Sequence, residues 1–182
     1  MAMRARNDRA PGAGAEHTDV VARLGEAHDR IREALAVATA LAEDLIADDV
    51  RSEIGAASRA DAARRALHCL MIDMALHEAD EDASIGPRLA DAARSLDGVI
   101  ERVEEHDRID ALVAELAEDW RDIACGRALD ASRHRARVAR LRSMLEVHLA
   151  GEERHVFPRV AALPERERLE IIREMDERRD PP

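Results

Sequence analysis

The chain has 182 residues and a formal net charge of −11, with 46% hydrophobic and 37% charged residues. One Trp, one Phe and no Tyr leave too few aromatics for a β-sandwich or barrel, whereas abundant Ala, Leu, Arg and Glu favour helix. The acidic balance argues against nucleic acid, which calls for a basic surface, and no apolar run nears the ~20 residues of a membrane-spanning helix.

Such a length suits one domain with a sizeable core. Residues 1–16 are rich in Arg, Gly, Ala and Pro without apolar periodicity and read as a disordered tail. The start, Met1-Ala-Met-Arg-Ala-Arg, is basic but leads into no apolar stretch, so it does not read as a secretion signal. Cys69 and Cys125 cannot make a disulfide framework and fit a reducing cytoplasm.

From Thr18, a good N-cap, Val21, Leu24, His28, Ile31, Leu35, Ala38, Ala42 and Leu45 step by three and four along one helical face. Gly55 marks the next connection, and Ser58 with Asp61 resembles a capping arrangement. The second helix then shows Leu67, Leu70 or Met71, Met74, His77, Glu81 and Ile85 on its inner face, with Gly86-Pro87 expected to stop it. After a linker at Ser95 to Gly98, the third helix carries Val99, Val103, His106, Asp110, Val113, Leu116 or Ala117, and Trp120, with Gly126 as its C-terminal cap. Ser132 is a candidate cap for the fourth, whose stripe is Val138, Leu141, Leu145, His148, Glu152 and Val156, closed by Pro158. Beyond Pro164, Leu169, Ile172 and Met175 predict a short amphipathic helix covering the bundle. The expectation is an all-α, up-down-up-down four-helix bundle over residues 17–160, with a C-terminal helix and tail over 161–182.

The four histidines on these stripes form two matched pairs. His28 and His106 each open His-Asp-Arg-Ile, and His77 and His148 each open His-x-x-x-Glu with an acid next and a proline at the tenth following position. The order is that of a duplicated helical hairpin. His28 and His106 lie about ten residues into their helices, and His77 and His148 about ten before their prolines. In an antiparallel bundle all four imidazoles then share one level, roughly 15 Å from one end at the ~1.5 Å rise of a helix.

A histidine and a glutamate four apart share a helix face, with Cβ atoms ~5–6 Å apart, so both reach one metal or two adjacent ones. Left without a metal, these groups would be buried at several kcal/mol of desolvation for each charge. Mixed imidazole and carboxylate donors suit iron or manganese, since structural zinc prefers thiolates.

This spacing resembles the hemerythrin HHE cation-binding family. The ending Glu152-Glu153-Arg-His-Val-Phe157-Pro158 is similar to the family's signature, of which Glu81-Asp-Ala-Ser-Ile-Gly86-Pro87 is a degenerate copy. The resemblance runs from about Asp19 to Pro158. It implies a non-haem centre of two iron ions, with His28, His77, His106 and His148 as terminal ligands and Glu81 and Glu152 bridging. Glu153 is the alternative to Glu152. The family's reversible oxygen carriers have a further histidine where this chain has Asp110, which is read as a ligand, a hydrogen-bond acceptor for His106 or a general acid near bound dioxygen.

Asp73 is a weaker candidate to support His77, while Asp29 and Asp107 should face solvent. His17 and His68 read as exposed, and His134 and His155 as satisfied polar residues away from the metal level. Met71, Met74 and Met144 read as core filler, and the basic run Arg133 to Arg142 as an outer face. The resulting expectation is a protein that reacts with dioxygen or peroxide. It leans to an oxidase acting on a small molecule with an electron donor, and the alternative is a protein that binds, stores or senses dioxygen, nitric oxide or iron.

Overall fold

The computed structural model describes residues 19–47, 55–93 and 97–180, with the backbone alone for 91–93 and 97–103. Among the described residues every regular element is helical. The expected N-terminal tail and Thr18 lie outside them.

Helix α1 (Val20–Ala47) starts behind Asp19, whose Oδ1 accepts the Val21 N–H at 3.1 Å. It buries Val20, Leu24, His28, Ile31, Leu35, Ala38 and Ala42, one stripe at helical spacing.

The second rod is one unbroken run: α2 (Ala56–His68), a π turn (Cys69–Asp73), α3 (Met74–Asp80), a second π turn (Glu81–Ile85) and α4 (Gly86–Ala93). It begins behind Gly55 with no side-chain cap. Ser58 is therefore inside the first turn, donating its backbone N–H to Gly55 O at 2.8 Å, and does not cap it. Gly86-Pro87 does not stop the helix either. In the second π turn the bonding widens so that Gly86 N–H donates to Glu81 O, and the missing proline N–H falls where the ladder is already irregular. Gly86 permits the approach, because a Cβ there would stand 3.1 Å from that carbonyl. The first π turn settles the inward phase: Leu70 is buried and Met71, expected in the core, is 40% exposed.

Helix α5 (Asp97–Ala124) begins inside the stretch expected to be a linker. It ends on Gly126 at φ 68°, where Arg127 N–H reaches Asp122 O at 2.8 Å and Gly126 N–H reaches Ile123 O at 3.0 Å. Only glycine takes that left-handed position without strain. Helix α6 (Ala131–His155) is capped by Asp130, which accepts the Arg133 N–H at 3.0 Å, so Ser132 is already helical. It ends at His155, and Pro158 then sits in the first turn of α7 (Phe157–Ala161), where a missing N–H costs nothing.

Helix α1 packs against α2 and α6, and α5 packs against α2 and α6, closing a ring of helices. Helix α8 (Glu165–Arg179) lies on α1, α3 and the second π turn. It buries Ile171, Ile172 and Met175, while Leu169, expected inside, is 48% exposed. Two apolar clusters fill the ring. One runs from Ile31 and Met74 through Trp120 to Leu149, and the other gathers Leu24, Ile85, Val156, Val160, Ile171 and Met175. His28 lies between Leu24 and Ile31, His77 between Met74 and Ile85, and His148 and Glu152 between Leu145 and Val156. A polar layer thus separates two dry ones.

Candidate metal centre

Each ring element contributes to that layer. α1 brings His28, α3 with its π turn brings His77 and Glu81, α5 brings His106, and α6 brings His148 and Glu152. All six are 5% exposed or less. Their donor atoms gather in two groups that share one residue: His28, His77 and Glu152, and Glu81, His106, His148 and Glu152, each within 4.8 Å of one another.

Glu152 joins the halves. Its Oε2 lies 3.1 Å from His28 Nε2 and 3.4 Å from His77 Nε2, and its Oε1 lies 2.7 Å from His148 Nε2. Glu81 Oε2 is 3.7 Å from His106 Nε2. The rings pair edge-on, His28 with His77 and His106 with His148, both at centroid distances of 4.9 Å.

The far ring nitrogens meet an outer set of acids. His28 Nδ1 is 2.9 Å from Glu153 Oε1, which Arg32 also holds at 2.7 Å. His148 Nδ1 is 3.2 Å from Glu105 Oε2, and His106 Nδ1 is 3.8 Å from Asp82 Oδ2. A carboxylate behind an imidazole fixes its tautomer and leaves the other nitrogen free to ligate. Of the adjacent acids on α6, Glu152 therefore faces the cluster and Glu153 stands behind His28.

The charges follow from this wiring. Burial pushes the Glu152 carboxyl up, but hydrogen bonds from His148, His28 and His77 outweigh it and hold it below the usual carboxylate range. Burial pulls His148 down, yet its bonds to Glu152 and Glu105 bring it above 6.5. His106 falls below its ordinary value through burial and the neighbouring His148. These buried donors have few protein partners, and His77 Nδ1 and both His106 nitrogens make no hydrogen bond. Imidazole and carboxylate donors converging in a dry layer fit a metal cation far better than they fit each other.

Other expected residues are placed elsewhere. Asp110 is exposed, and Ile109 takes the buried position beside His106. Burying an Ile side chain gains ~1.5–3 kcal/mol, whereas a carboxylate there would need a partner. Asp73 lies one turn from Cys69, whose thiol donates to Arg30 O at 3.5 Å and is pushed up to about 12 by burial and by the Asp73 carboxylate. Asp29, Asp107, His68 and His155 are exposed, and His17 lies outside the described residues. His134 is fully buried, with Nδ1 3.1 Å from Asp119 Oδ2. Arg135 pairs with Glu43, Arg137 with Asp119 and Glu115, and Arg142 with Glu146.

A family model, the hemerythrin HHE cation binding domain, matches residues 19–160. The chain belongs to this family. The match takes in α1 to α6, all but the last residue of α7 and every residue of both clusters, and α8 follows it. No curated protein and no solved structure matches the chain significantly.

Three acids of this hemerythrin-family chain escape the repeated motifs. Glu78 follows His77 and is 8% exposed. Burial, then Asp110, pushes its carboxyl up to about 8. Its position three before Glu81 is the one local signal, hidden when His-x-x-x-Glu is taken as two residues and three spacers. Asp80 is 1% exposed and is clasped from α8 by Arg178 Nε at 2.8 Å and Arg179 Nη2 at 2.6 Å. Ser84, in the π turn that follows, accepts from Arg178 at 2.6 Å. Glu105, half-buried, precedes His106 but serves His148, a pairing across helices that no local pattern announces.

Proposed function

We propose that the chain holds a pair of iron ions and uses them to reduce dioxygen or peroxide, oxidising a small molecule with electrons from a donor. The observation that carries this reading is the bidentate reach of Glu152, one oxygen toward His28 and His77 and the other toward His148. A carboxylate so placed is suited to bridge two cations, with Glu81 beside it as the second bridge. His28 and His77 would hold one ion, and His106 and His148 the other. We further propose that the long helices alternate up and down, which brings all four imidazoles to one level, and that the protein works in the cytoplasm, where Cys69 and Cys125 stay reduced.

Bound iron would supply one-electron redox chemistry and Lewis acidity. The residues supply the rest. Glu153 and Glu105 orient the His28 and His148 rings, and the apolar layers with Phe157, 4.9 Å from the His28 ring, exclude water. The His106–His148 side is rich in carboxylates and has no fifth imidazole, which favours higher metal charge and turnover over reversible storage. The exposed Asp110 adds negative field there through Glu78.

A second reading, storage or sensing of dioxygen, nitric oxide or iron, is favoured by the burial of every ligand, which admits only small molecules directly. Iron-loaded protein with excess reductant separates the two. Dioxygen uptake continuing far beyond the iron present supports turnover. Uptake that stops at stoichiometry and is released under argon supports storage.

A further inference from the structure

We propose that Arg178 of α8 is a positioning residue for Glu81: its one guanidinium grips Asp80 and Ser84, on either side of Glu81, and so sets where that carboxylate meets the centre. The proposal rests on the metal-pair reading above and extends it to a helix beyond the residues that the family model matches.

Glu81 stands where two backbone ladders meet. Its N–H donates back to His77 O, as in an α-helix, and its carbonyl accepts from Gly86 across the wider π turn. A π turn is a rare form of backbone, so ordinary helical bonding does not by itself fix how the rod runs through Glu81. Contacts from α8 meet the rod at this junction. Arg178 donates from Nε to Asp80 Oδ1 at 2.8 Å and from Nη2 to Ser84 Oγ at 2.6 Å. Arg179 takes the other oxygen of Asp80 at 2.6 Å. The Ser84 carbonyl accepts from Arg88 Nη1 at 2.6 Å, and Arg88 is clamped on both oxygens of Glu174 from α8. Asp80 comes directly before Glu81 and Ser84 three residues after it, so the grip brackets the carboxylate.

Stability alone is a weak reason for such a grip. Asp80 and Ser84 are buried, and a buried ion pair gains little over apolar side chains of the same size. What a guanidinium adds is direction, because its planar fork holds acceptors at set angles, where a lysine ammonium is a single point of charge. Adjacent residues of a helix face different sides, so a hold on Asp80 from α8 turns Glu81 away from α8 and into the layer. There its Oε2 stands 3.7 Å from His106 Nε2. Glu152, by contrast, lies within the regular helix α6 and is met by three imidazoles. Its place is secured from inside the layer, and that of Glu81 from behind, through the backbone.

The experiment is an anaerobic Co2+ titration of the full chain in the wild type, Arg178→Lys, Ser84→Ala, these two combined, and Ile171→Val. Metal content, competition against a chelator, the visible cobalt bands and melting of the metal-free proteins are the readouts. The wild type should bind two ions. Arg178→Lys keeps a charge for Asp80 but not the fork, and Ser84→Ala removes one end of the grip. Each should still bind two ions, with affinity lowered about tenfold and the bands of the loaded protein altered. Both break the same grip, so the combined variant should lose no more affinity than the weaker single one. Ile171→Val loosens the apolar face of α8 without touching the grip, and should lower the melting temperature while leaving affinity and bands as in the wild type. Ser84→Ala carries the test if Arg178→Lys does not fold. Unchanged affinity and bands in the grip variants, losses that add in the combined one, or bands altered as much by Ile171→Val would each overturn the role of Arg178 while leaving the metal pair intact. Fewer than two ions in the wild type would overturn the metal-pair reading and this proposal with it.

Discussion

His28 presents its two ring nitrogens to consecutive glutamates of α6, Nε2 to Glu152 at 3.1 Å and Nδ1 to Glu153 at 2.9 Å. An α-helix sets adjacent residues ~100° apart, so both can touch one ring only if that ring sits edge-on between them. Glu153 is thereby the acceptor that fixes the tautomer, and Arg32 fixes Glu153. Glu153→Ala is expected to keep metal stoichiometry while lowering affinity about tenfold to a hundredfold. Titration against a competing chelator measures it, and an unchanged affinity would deny Glu153 this part.

Acid should weaken metal binding through His148. Its pKa is raised above 6.5 because bonds to Glu152 and Glu105 outweigh burial, so below that value Nε2 holds a proton that a metal must displace. Affinity should then fall about tenfold per pH unit for each proton displaced. Glu152, held below the usual carboxylate range, stays charged throughout. Isothermal titration from pH 8 to 5.5 in buffers of different ionisation enthalpy counts the protons, and a pH-independent affinity contradicts the assignment.

His134, whose pKa is shifted the other way, should shape stability. Burial lowers its pKa below 6.5 against the bond to Asp119. The folded chain therefore binds the proton less readily than the unfolded one, and this contribution is present above pH 6.5 and lost as pH falls below it. A tenfold difference in proton affinity between the folded and unfolded chain is worth ~1.4 kcal/mol. Urea melts of wild type and His134→Gln between pH 5 and 7.5 should show a flatter acid limb in the variant, and parallel limbs would refute the account.

The clasp of α8 on Asp80 predicts an asymmetry between its partners. Removing both guanidinium groups with Arg178→Met and Arg179→Met strands a buried carboxylate, a loss of ~3–5 kcal/mol. Adding Asp80→Asn to that double variant should recover part of it, because the stranded charge is gone. Chemical denaturation checks this, and a triple variant less stable than the double would show that Asp80 is held by something else.

Asp110→Asn should leave metal content unchanged, since the side chain is exposed on α5 and outside both clusters. Its carboxylate is the foremost charge acting on Glu78, so the variant should instead lower the Glu78 pKa from about 8, visible by carboxyl-carbon NMR of metal-free protein. An unmoved Glu78 titration would show that burial alone raises it.

The residue order alone determined that His28, His77, His106 and His148 lie on apolar stripes at one level, and that Glu81 and Glu152 share their partners' faces. That much follows from local geometry, because the three- and four-residue spacing of a helix places side chains without reference to anything distant. The tertiary structure decided the rest. Ile109 rather than Asp110 turns inward because burial gain competes with desolvation across packed helices. Pro87 is passed because the π turn at Glu81–Ile85 adds a residue that regular periodicity does not count. Glu78, Glu105 and Asp80 matter through groups on other helices, Asp110, His148 and Arg179 among them. Which side chains meet across a bundle depends on the phase of every helix at once, and a shift of one residue in any of them changes every such meeting.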